Sequence, residues 1–229
     1  MNWIFILIII IIVFFIILKI TKKILVAISL FFLITTILAL IFGFILYKDF
    51  TNLKNGFENG EKLILLVDES KVYASVALIK PVDPKIIYSS KQEVNVFSEY
   101  YQNNELDKIL DNRSFMFLIK KDFIENELDV VYLGDLNLSN QEVMQILTSD
   151  PYLEDFYSKI NSQGKTPYDI RADIFLSSIS RIAEIKSPLF LLEGYKNSQI
   201  RIYPETLTLK FVKMIPSSLI TKVIQDNSK

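Results

Sequence analysis

Hydrophobic and polar positions are divided very unevenly along the chain. Residues 3–18 and 24–47 are apolar runs without a charged side chain, split by Lys19-Ile20-Thr21-Lys22-Lys23. A hydrocarbon core about 30 Å thick takes roughly 20 apolar residues in a helix that rises about 1.5 Å per residue. The second run exceeds that length. The first comes near the lower limit and gains reach from the snorkelling stem of Lys19. The pattern predicts two transmembrane helices, about 3–18 and 24–47, joined by a short basic turn into a hairpin. Thr35, Ala39 and Gly43 recur every four residues on the second run. They form a small-residue stripe for helix packing, within the hairpin or against a second copy or a partner's helix. Neither run contains Asp, Glu, Lys, Arg, Asn or Gln, the groups that line ion and proton paths at membrane depth. The hairpin therefore reads as an anchor.

Beyond Tyr47 the pattern changes to that of a globular chain. Residues 48–60 are polar, with Gly56 and Gly60, and read as a juxtamembrane linker; 61–229 read as one soluble domain. Runs 63–67 and 72–79 flank Asp68-Glu69-Ser70-Lys71 and predict a β-hairpin, closed by Pro81 and Pro84. Ser90-Lys91-Gln92-Glu93 and Ser139-Asn140-Gln141-Glu142 are capping boxes, each leading apolar residues at helical spacing. A short helix is expected over 104–110 and strands over 115–119 and 130–133. Asp150-Pro151 opens a helix, and Thr166-Pro167 opens the longest soluble one, with Ile170, Ile174 and Ile182 on its apolar face. Residues 189–192 and 200–203 read as a second hairpin, 204–215 as a helix, and Pro216 as the start of another to Gln225. Strands and helices come in blocks rather than in regular alternation. This predicts an α+β fold, a mainly antiparallel sheet with packed helices.

Composition sharpens the picture through two absences: the chain has no Cys and no His. Cys/His zinc sites, thiol nucleophiles, haem His ligation, Ser-His-Asp triads and disulfides are excluded within it. Net charge is −1, with acids and bases interspersed, so no basic stripe suggests nucleic acid. No glycine-rich loop suggests a bound nucleotide. Three lysines between the apolar runs, and none ahead of them, put the turn in the cytoplasm and the domain on the extracytosolic side of the cell membrane.

The remaining chemistry is sparse. Asp68-Glu69 sits where acids favour turns, and Glu154-Asp155 where the helix dipole favours acids. Ser218 and Lys222, four apart, are the one pairing that resembles a His-free nucleophile dyad. Asn112-Arg113-Ser114 and Asn137-Leu138-Ser139 match the glycosylation pattern of exported chains. Lys210, Lys213 and Lys222 lie beside Leu207, Phe211 and Ile215, as on a helix that rests on lipid or packs on the sheet. No catalytic residue, cofactor or metal ligand is expected from these. The expected function is a membrane-anchored, non-catalytic interaction or assembly module, whose partners are the lipid bilayer and another protein or a second copy. One alternative is a membrane-bound hydrolase or transferase using carboxylates and an oxygen-ligated divalent metal. It predicts clustered acids with a raised pKa. The other is an accessory subunit of a larger membrane complex.

Overall fold

The computed structural model describes residues 3–79, 85–133, 136–160, 164–186 and 190–216. The chain divides into two compact units, Met1–Asp49 and Phe50–Lys229.

The first unit is helical. Helix α1 runs Trp3–Asn59 without a break, and the turn expected at residues 19–23 is absent from it. The physical reason lies in the composition of that segment. It holds neither Gly nor Pro, so no amide donor is lost and no backbone position favours a reversal, while Lys and Ile propagate a helix at small cost. From Ile11 the helix is long and apolar enough to cross a membrane, and none of its most apolar stretch is buried. Phe31, Leu40 and Phe44 each expose about two thirds of their surface or more. Contiguous apolar surfaces of this size mark membrane or protein contact surfaces.

In the second unit, the last turns of α1 already belong to the folded core. Leu53 and Phe57 pack against it, with the Phe57 ring 4.7 Å from that of Phe115 and 5.7 Å from that of Phe117. Gly56 is needed here, because a Cβ would run into the Phe115 ring. The segment expected as a polar linker is thus helical and partly anchored in the core.

Strands β1 (Lys62–Asp68) and β2 (Lys71–Ile79) form an antiparallel hairpin, and β3 (Lys85–Tyr88) adds to β2. Helices α2 (Lys91–Gln102) and α3 (Leu106–Leu110) carry the chain to β4 (Phe115–Lys120), which pairs with β1 in parallel. Then come α4 (Lys121–Glu127), a separate hairpin of β5 (Val130–Leu133) and β6 (Leu136–Ser139), α5 (Asn140–Thr148) and α6 (Asp150–Lys159). The chain continues through α7 (Pro167–Lys186), α8 (Phe190–Lys196), β7 (Ile200–Tyr203) and α9 (Leu207–Met214). The main sheet has the order β3-β2-β1-β4-β7. Three of its four pairings are antiparallel, so the fold is α+β with a mixed, mainly antiparallel sheet.

Alternation along the central strands buries both faces of that sheet. Leu63, Leu65, Val67, Met116 and Leu118 pack under Val94 of α2 and Leu106 and Ile109 of α3. Leu66, Phe115, Phe117 and Ile119 face the other way, toward Phe123, Ile146, Leu153, Ile174, Phe175 and Tyr195 of α4 to α8. One expected strand is wrong: residues 190–192 lie in α8. Phe190, Gly194 and Tyr195 are its buried positions, a helical spacing that outweighs a short apolar run, and Phe190 stacks on Phe123 at 6.1 Å. Strand β7 pairs with β4 instead. The predicted helix from Pro216 to Gln225 falls, after Pro216, outside the described residues.

Candidate functional site

The acids noted in the sequence are dispersed. Asp68 closes the β1–β2 hairpin, 2.9 Å from Lys121; its hydrogen bond to that ammonium holds its carboxyl below the usual range. Asp155 pairs with Lys159 at 2.5 Å along α6. Among the described residues no three acids are grouped to hold a metal ion. Thr35, Ala39 and Gly43 are all exposed on α1. The Thr35 hydroxyl donates to the Phe31 carbonyl at 2.8 Å, and a Cβ at Gly43 would meet nothing within 4 Å. Asn112 and Asn137 are exposed. Ser218 and Lys222 lie outside the described residues.

The densest polar cluster ties α6 and α7 to the start of α2. Arg171 of α7 is 2% exposed. Its Nε donates to the Ile146 carbonyl at 3.0 Å, and its Nη2 lies 2.8 Å from Asp150 Oδ1 as an ion pair off the hydrogen-bond axis. Lys91 Nζ is 3.4 Å from Asp150 Oδ2, and the Tyr168 hydroxyl donates to the same carboxylate at 3.2 Å. Burial pushes the Asp150 carboxyl up, but Arg171 and Lys91 outweigh it and hold it below the ordinary value. Beside it, the Tyr88 hydroxyl donates to Asp173; burial and then that carboxylate push the phenol up to about 12. Lys165 takes the other Asp173 oxygen at 2.5 Å. Each of these charges is met within the cluster, which makes it a lock between elements. The cavity of about 310 Å³ beside it, between Lys91, Asp150 and Tyr168, borders the lock.

A second pocket, of about 450 Å³, opens where β1 and β4 end and β7 begins. This is the carboxyl end of the parallel β1–β4 pair. Its wall is built by local chain geometry. The Lys120 amide donates to the Gln199 carbonyl at 3.0 Å, and the Gln199 amide to the Gly194 carbonyl at 2.8 Å. Ser198 takes a left-handed backbone, φ 58°, to turn α8 into β7. Val67, Leu118 and Ile200 supply apolar lining, and Tyr101 comes from α2.

The polar lining is mainly cationic: Lys120, Arg201 and Lys213 against Glu205. The Tyr195 hydroxyl donates to Glu205 Oε1 at 2.8 Å. Lys213 Nζ is 3.5 Å from the same oxygen and 4.6 Å from the Tyr195 ring centre. The Tyr195 hydrogen bond, aided by Lys213, holds Glu205 below the usual carboxylate range, and burial, then Glu205, push the Tyr195 phenol up. Glu205 is therefore committed to Tyr195 and Lys213. Lys120 and Arg201 are exposed and have no carboxylate partner among the described residues. Sequence reasoning did not find this site. Its cations lie on three separate elements, and only the parallel β1–β4 pairing and the β4–β7 register bring them to one place.

No family model matches the chain, and neither a curated protein nor a solved structure is detectably similar to it.

Proposed function

We propose that the chain is a membrane-anchored, non-catalytic binding module, in which apolar helices hold an α+β domain at a bilayer. The observation that carries this reading is the most apolar stretch of α1, none of which is buried. As one straight helix, the two apolar runs and their basic junction measure about 68 Å, more than twice the thickness of a hydrocarbon core. In a bilayer, folding back at residues 19–23 puts both runs in hydrocarbon and the three lysines at an interface. The proposed arrangement is thus the two-span hairpin, 3–18 and 24–47, with Thr35, Ala39 and Gly43 as a packing stripe for a facing helix. The lysines favour a cytoplasmic turn and an extracytosolic domain. The ligand or partner would then be another protein or an envelope component.

The chain has no Cys, so single cysteines report sidedness without background. Asn2→Cys, Lys22→Cys and Asn126→Cys, the last on an exposed position of α4, are labelled in intact cells with an impermeant maleimide. The expected result is labelling at 2 and 126 before lysis, and at 22 only after. Positions 2 and 126 on opposite sides would replace the hairpin with a single span. Labelling at 126 only after lysis would place the domain in the cytoplasm.

A further inference from the structure

We propose that the pocket at the ends of β1, β4 and β7 binds a phosphate-bearing organic anion. The proposal rests on reading the domain as a binding module and gives that module a ligand class. Three cations and one carboxylate line the pocket, a balance of +2, which matches a phosphate monoester dianion; a monocarboxylate would leave one cation uncompensated. The cations differ in kind. Arg201 offers a planar fork suited to two oxygens of one phosphate, fixed on a strand opposite Leu118 of β4. Lys120, at the last position of β4, adds a compact point charge. Lys213, on exposed α9, is held loosely at 3.5 Å from Glu205 and can lean toward a ligand without leaving that carboxylate unpaired, because Tyr195 still donates to it. The Ser198 hydroxyl and the side-chain amide of Gln199 add neutral polar groups at the rim. Val67, Leu118, Ile200 and the ring of Tyr101 supply an apolar wall for the organic part. A volume of about 450 Å³ lies within the range of small-molecule sites.

The contrast with the Asp150 cluster supports the choice. There every cation already has a carboxylate, Lys91 and Arg171 on Asp150 and Lys165 on Asp173. At the pocket Lys120 and Arg201, on the neighbouring strands β4 and β7, line one cavity and have no carboxylate among the described residues. Like charges brought together at one rim repel, and an anion between them removes that repulsion.

The test is calorimetric titration of phenyl phosphate into the full chain, held in neutral phosphatidylcholine nanodiscs at low salt. Saturable binding at one site per chain is expected. Arg201→Gln and Lys120→Gln should each weaken it about tenfold, the scale of one charge-assisted hydrogen bond, with unchanged circular dichroism, since both side chains are exposed. Phenol, which lacks the phosphate, should not bind. Absence of saturable binding, or binding indifferent to both substitutions, overturns the proposal. Soluble dihexanoyl phosphatidic acid then separates two sources of the same chemistry. Binding much tighter than phenyl phosphate assigns the site to a lipid headgroup; equal or weaker binding assigns it to a soluble ester; both support the phosphate site. Release of phenol during the titration would overturn the non-catalytic reading while leaving the site in place.

Discussion

Arg171 places a guanidinium among the apolar side chains of α5 and α7, and that charge is tolerated because Asp150 and the Ile146 carbonyl meet it. Removing one partner of a buried pair costs about 3–5 kcal/mol, since the other is left uncompensated. Asp150 is about one third exposed, so water replaces part of its contribution. Asp150→Asn is therefore expected to lower stability by about 2 kcal/mol, read from urea unfolding of the full chain in micelles. A loss under a few tenths of a kcal/mol would show that the pair does not hold α6 to α7. The sequence reading placed Asp150 at a helix cap. The structure gives that place to Ser149, whose hydroxyl accepts from the Tyr152 amide, and this leaves the carboxylate to Arg171. The cap was legible to within one residue because its signal is local. The ion pair was not, because its partner stands a whole helix away and only the packing of α6 on α7 brings the two together.

At the scale of elements the same division recurs. Both capping boxes are present as read, with Glu93 and Glu142 each returning a carboxylate to the cap residue, because four consecutive residues contain the whole motif. Strands β3 and β6 are four residues long, too short for alternation to show, and the β1–β4 pairing joins Lys62 to Phe115 across an intervening hairpin and two helices. The pocket inherits this illegibility: Lys120 and Arg201 each look like the polar punctuation of a strand until the sheet order is known. The seat of α8 on β7 shows how tightly that corner is made. A Cβ on Gly194 would come within 2.6 Å of Ile200 Cδ1 and 2.7 Å of its Cγ1, and Ile200 is itself buried. Gly194→Ala should cost about 1–3 kcal/mol, as overpacking of a filled core does. A shift in chemical-denaturation midpoint reads this directly, and an unchanged midpoint would mean that Ile200 has room to turn aside.

For the molecule as a whole, the titrating groups fall into two sets with a gap between them. Asp68 (through Lys121), Glu142 (through Ser139), Glu205 (through Tyr195) and Asp150, where burial is outweighed by Arg171 and Lys91, all have depressed pKa values. A carboxyl depressed by folding contributes stability that is fully present above its unfolded value, near 4, and lost as pH falls through the folded value. Tyr88, pushed up to about 12 by burial and Asp173, and Tyr195, raised by burial and Glu205, act in the opposite sense. Their contribution is present below the unfolded value, near 10, and lost as pH rises through the folded one. With no His in the chain, no ordinary side chain titrates between pH 5 and 8. The melting temperature should form a plateau from about pH 5 to 9, with falls only beyond it; a step near pH 6 or 7 would contradict this account. The long helix has a consequence of another kind. Lys19, Lys22 and Lys23 are spaced i, i+3, i+4 along unbroken α1, so their ammonium groups crowd one side of it. Drawing each into hydrocarbon costs about 3 kcal/mol on insertion scales, or about 9 kcal/mol for the three. Were residues 24–47 set in a bilayer as proposed, the three lysines would act as a flange on the apolar rod that follows and limit how deep it can slide.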